Sequence, residues 1–116
     1  MPKSLLVISR QAPWTGPSAR AAMDIVITGG AFGLPIGLLF MDDGVFQMEP
    51  IQDAKAVQQK DLIANIQAIG LFGIDEVFAC SHSLSERGLG PPAHALTLVG
   101  EDISKLIDSY DQVITL

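Results

Sequence analysis

Val77-Phe78-Ala79-Cys80-Ser81-His82-Ser83-Leu84-Ser85-Glu86-Arg87-Gly88-Leu89 is the stretch on which the reading of the chain turns. A short apolar run ends at a cysteine, and the serine-rich residues after it start a helix-like turn. Strands that empty into helices build parallel α/β sheets. Cys80 is also the one cysteine in 116 residues. Beside the free N–H groups of a helix start a thiol meets partial positive charge, and a protonated His82 adds a full one. Cys80 is therefore the first candidate site residue, with Ser81 and His82 as candidate supports of a thiolate. The plainer reading makes Cys80 a small hydrophobe after a buried strand and His82 a solvated residue at the helix start.

Working outward, the same alternation recurs on both sides. Leu5 to Ile8 is an apolar run too short for a helix and suits a strand buried on both faces. After a loop from Ser9 to Gly16, Pro17 can open a helix over Ser18 to Ala31, where Ala19, Ala22, Met23, Val26 and Ile27 fall at helical spacing. Pro35 to Met41 is a second buried strand that runs into Asp42-Asp43-Gly44, and Val45 to Met48 predicts a short packed helical turn. Glu49 to Gln59 reads as loop with a short helix, and Leu62, Ile66, Ile69 and Phe72 mark a further amphipathic helix ended by Gly70 and Gly73. The third strand is Glu76 to Ala79. Beyond the Gly88 to Pro92 loop, Ala95 to Val99 predicts a strand, Asp102 to Ser109 a helix and Gln112 to Thr115 a fifth strand.

Together these elements predict a single domain over residues 1–116, a flavodoxin-like three-layer α/β sandwich with a five-stranded parallel sheet. The expected strand order is 2-1-3-4-5. In that order the first and third strands are neighbours, so the Arg10 to Gly16 loop and Cys80 would flank one crevice at the switch point, where ligands of such sheets bind.

Composition narrows the function. A formal charge of −6 argues against direct nucleic-acid binding, because phosphate backbones are gripped mainly by Lys and Arg. One cysteine forms no internal disulfide, the start Met-Pro-Lys-Ser-Leu-Leu-Val-Ile-Ser lacks a signal-peptide layout, and no apolar run is long enough for a membrane span. A cytoplasmic protein is expected. With 48% hydrophobic residues in so short a chain, some apolar surface is expected to be covered by a partner, which favours an oligomer.

Other candidate sites are weaker. Cys80-x-His82 could bind a metal only with His94, and three scattered ligands make a poor set. Asp42-Asp43 resembles half of a magnesium pocket, but Cys80 and Gly100 stand where its remaining acid and its lysine would be, so turn formation or capping is the better reading. Thr15-Gly16-Pro17-Ser18 is a faint phosphate-loop signal, with a proline in place of one N–H donor. Trp14 and Phe46 lie in loops, against the body or a partner.

Four segments together resemble the TusC/DsrF branch of the DsrE/DsrF sulfur-relay family: Asp42-Asp43-Gly44-Val45-Phe46-Gln47, Gly70-Leu71-Phe72-Gly73-Ile74, the run from Cys80 to Leu89, and Tyr110-Asp111-Gln112-Val113-Ile114. The resemblance spans essentially the whole chain. It implies a subunit of a sulfurtransferase complex, built from homologous B-type, C-type and D-type subunits, that passes persulfide sulfur to a downstream carrier and on to 2-thiolation of the tRNA wobble uridine. Similar proteins serve dissimilatory sulfur metabolism. The family cysteine falls on Cys80, and thiol-to-thiol transfer calls for no cofactor. Two other classes stay open: a purely structural subunit with an inert cysteine, and a flavodoxin-like domain that binds a small ligand.

Overall fold

A strand buried on both faces must send alternate side chains into two different cores, and the apolar runs of this chain do so. A computed structural model describes residues 3–12, 16–48, 76–90 and 95–116. The elements are β1 (Leu5–Ser9), α1 (Ser18–Ala31), β2 (Ile36–Phe40), a 3-10 helix (Asp42–Met48), β3 (Glu76–Cys80), α2 (Ser81–Glu86), β4 (Leu96–Leu98), α3 (Gly100–Asp108) and β5 (Gln112–Thr115). The helix expected from Leu62 to Phe72, the Glu49 to Gln59 segment, Trp14, Thr15 and His94 lie outside the described residues.

All four strand pairings are parallel, so the five-stranded α/β sheet is as expected. Its order is not. The strands run β4-β3-β2-β1-β5, which corrects the expected 2-1-3-4-5. The physical reason is the burial of β2. All five residues of Ile36–Phe40 are buried, as befits a strand at the centre of a sheet, whereas the whole of β5 is exposed at an edge. β2 therefore separates β1 from β3, and Cys80 does not flank β1. The reversal of strand order falls between β1 and β5 instead.

Side-chain alternation assigns the two faces. Val7, Ile36, Leu38, Phe40, Val77 and Ala79 point toward α1, where they meet Ala19, Ala22, Met23 and Val26. Leu6, Ile8, Leu39 and Cys80 point the other way and pack with Ile103 of α3. Gly37 also opens that second face, since a Cβ there would stand 2.1 Å from the Tyr110 hydroxyl oxygen. The Tyr110 hydroxyl donates to the Glu76 carboxylate across the sheet.

Candidate functional site

The carboxyl ends of the strands are held by the residues that follow β2. Asp42 has φ +50, a left-handed conformation that Asp tolerates better than most residues and that turns the chain sharply out of the sheet. Gly44 then fits directly against the end of β1, where a Cβ would lie 2.0 Å from the Ser9 carbonyl oxygen. Val45 and Gln47, at 0% and 1% exposure, anchor the 3-10 helix. Gln47 Nε2 donates to Ser9 Oγ at 2.6 Å and to the Gln11 carbonyl at 3.0 Å. The short packed turn expected from the apolar residues Val45 to Met48 is thus present and starts three residues earlier, at Asp42.

Both carboxylates of the Asp42-Asp43 pair are engaged by arginines. Arg10 Nε and Nη2 each approach Asp42 Oδ2 at 2.6 Å, and Arg87 Nε donates to Asp43 Oδ1 at 3.0 Å. Among the described residues no group of three or more His, Cys, Asp or Glu is placed to hold a metal ion. The pair works as a turn and as an anchor, in line with the reading preferred from sequence. A cleft of 470 Å³ opens beside it, lined by Arg10, Gln11, Asp42, Asp43, Thr115 and Leu116. It lies at the ends of β1 and β5, the switch point of the observed strand order.

Cys80 is the last residue of β3 and the N-cap of α2, so the expected strand-to-helix junction is present. Register with Leu98 of β4 and strand alternation turn its side chain to the α3 face, where it is 5% exposed among Leu39 and Ile103, with Met41 and Leu98 alongside. Ser81 is half-buried. His82 is directed elsewhere: its ring meets the carboxylate of Glu86 one turn along α2, with 80% of the side chain exposed. Of the three residues singled out from sequence, Cys80 and Ser81 stay at the junction and His82 faces solvent. Ser83, grouped with Cys80 in the sequence, accepts from the Asp42 N–H, whereas Arg10 and Arg87 carry much of the remaining polar structure here and are not singled out by the sequence, because their Asp partners are distant in it.

With its five parallel strands and flanking helices the chain is a small α/β protein, and it belongs to the DsrE/DsrF-like family, which it matches over residues 3–116. Among its relatives, it is 53% identical to the Protein TusC homolog of Pseudomonas aeruginosa, with 100% of each chain covered. It is 29% identical to Protein TusC of Escherichia coli, over 97% of this chain and 98% of that one. The fold is shared with the ychN protein of E. coli, whose crystal structure superposes with a TM-score of 0.73 over 100% of both chains at 18% identity.

Proposed function

We propose that this chain is a C-type subunit of a cytoplasmic sulfur relay, assembled with homologous B-type and D-type subunits and passing persulfide sulfur through a downstream carrier toward 2-thiolation of the tRNA wobble uridine. The observation that carries this reading is full-length likeness to two proteins named TusC, at 53% and 29% identity. The chemistry asks little of one station. A Cys80 thiolate attacks the outer sulfur of an incoming persulfide, the donor's S–S bond breaks, and the donor leaves as a thiolate while the outer sulfur stays on Cys80 with no net oxidation. A net charge of −6 also suits a protein that leaves tRNA binding to a later enzyme.

A second reading is a structural subunit whose cysteine is inert. It is favoured by the burial of Cys80 at 5% among apolar side chains and by the turn of His82 away to Glu86.

Co-purification of the chain from its own cells, with mass analysis before and after a persulfide donor, tests both. Homologous subunits of similar size are expected to accompany it. Under the transfer reading, the Cys80 peptide gains the mass of one sulfur atom, and Cys80→Ala abolishes tRNA thiolation in an intact complex. Thiolation that survives Cys80→Ala leaves the structural reading. A chain that purifies without homologues, from cells whose tRNA thiolation does not need it, overturns the relay assignment.

A further inference from the structure

The six residues of α2 are too few to hold a helix by themselves, yet this helix fixes the backbone that follows Cys80. Among the described residues three hydrogen bonds tie it down, and they close a ring. The Asp42 N–H donates to Ser83 Oγ at 2.9 Å, Arg87 Nη1 donates to the Ser83 carbonyl at 3.1 Å, and Arg87 Nε donates to Asp43 Oδ1 at 3.0 Å. Asp42 and Asp43 are adjacent, and Ser83 and Arg87 stand one helical turn apart, so each bond limits the freedom of the next. On the far side the ring is braced by Arg10, which pins Asp42 in its left-handed conformation. On the near side Leu84, 3% exposed, anchors α2 in the core below α1.

We propose that Asp43, Ser83 and Arg87 are positioning residues that keep the Cys80 junction closed, holding the thiol beneath α3 until α2 is released. The relevance to sulfur transfer rests on the reading of Cys80 as a relay thiol; the structural coupling does not. Cys80 is tied by β-sheet register on its N-terminal side and by α2 on its C-terminal side. Freeing α2 removes the second constraint, and the side chain can turn from Leu39 and Ile103 toward solvent. Asp43, with 58% of its side chain exposed, is the outer end of the ring.

The rate at which neutral iodoacetamide alkylates Cys80 in the native chain measures this opening. Ser83→Ala and Asp43→Ala are expected to raise the rate about three- to tenfold, the effect of losing one net hydrogen bond from a local closing equilibrium. Asp43→Glu keeps a carboxylate for Arg87 and is expected to restore slow labelling. Ile103→Ala, which thins the α3 cover directly, serves as the fast reference. Unchanged labelling in Ser83→Ala and Asp43→Ala beside a fast Ile103→Ala overturns the proposal, because the α3 cover alone would then set access. Circular dichroism confirms that each variant is folded; should one not fold, labelling of the unmodified chain between about 0.05 M and about 1 M salt takes its place. A rise with salt then supports the ring, and a constant rate overturns it. Alkylation reads access whether or not Cys80 carries sulfur, so its outcome is separate from that of the persulfide mass measurement.

Discussion

Gly44 has no space for a side chain, and the group in the way cannot yield. A Cβ would stand 2.0 Å from the Ser9 carbonyl oxygen and 2.8 Å from its carbon, both backbone atoms of the β1 end. Gly44→Ala is therefore expected to cost about 2–3 kcal/mol, seen as a lower urea midpoint at unchanged slope. Asp42 is a milder case. Asp42→Asn keeps a residue tolerant of φ +50 and loses an exposed ion pair with Arg10, so a change below about 1 kcal/mol is expected by the same measurement. Tyr110 contributes to stability at alkaline pH. Burial, and then the Glu76 carboxylate to which its hydroxyl donates, push its ionisation well above the ordinary 10.0. The folded chain thus holds this proton more tightly than the unfolded chain does. The contribution is fully present below pH 10.0 and is lost as pH rises above it. Urea midpoints measured through that alkaline range should fall more steeply for the parent chain than for Tyr110→Phe, which has no proton to lose.

Element types were legible because each rests on a local pattern. The helix Ser18–Ala31 and the strand Gln112–Thr115 were read with their observed limits, and β1, β2 and β3 to within a residue at either end. Strand order was not legible by the same means, since choosing a neighbour is a non-local decision: β1 pairs with β2 on one side and with β5 on the other. One signal was nevertheless present. The unbroken apolar run of β2 asks for a neighbour on each side, while β5 begins with Gln and ends with Thr. The site divides in the same way. Cys80 at a strand-to-helix junction and the His82–Glu86 pair at helical spacing are local features. Arg10 with Asp42 and Arg87 with Asp43 are 32 and 44 residues apart, and only the folded sheet brings them together. At this scale β5 also has a clasp at its entry. Ser4 N–H and Oγ both donate to Asp111 Oδ2, at 2.8 and 3.2 Å, and the Asp111 N–H donates to Ser4 Oγ at 3.0 Å. Asp111→Ala is expected to cost about 1–2 kcal/mol, measurable by urea unfolding.

Across the whole molecule, the two faces of the sheet are closed by different parts of the chain. α1 covers one face early in the sequence, and α3 covers the other late, with Cys80 on the late side. Among the described residues six large hydrophobic side chains are exposed, Phe32 at 81% and Leu96 at 62% foremost, consistent in kind with the apolar surplus noted in the sequence. The β1–β5 pairing has a further consequence, which concerns time. Leu5 sits opposite Gln112, so one long edge of β1 stays bare until a strand 107 residues later has been made and docked. On a ribosome β1 emerges before β5 and waits for every residue between them, and a sheet closed by so distant a pairing is slow to complete. If β5 docks after the rate-limiting step, Asp111→Ala will speed unfolding and leave refolding almost unchanged in a stopped-flow chevron. A chaperone that shields the outer edge of β1 during synthesis would then be guarding the seam that β5 closes last.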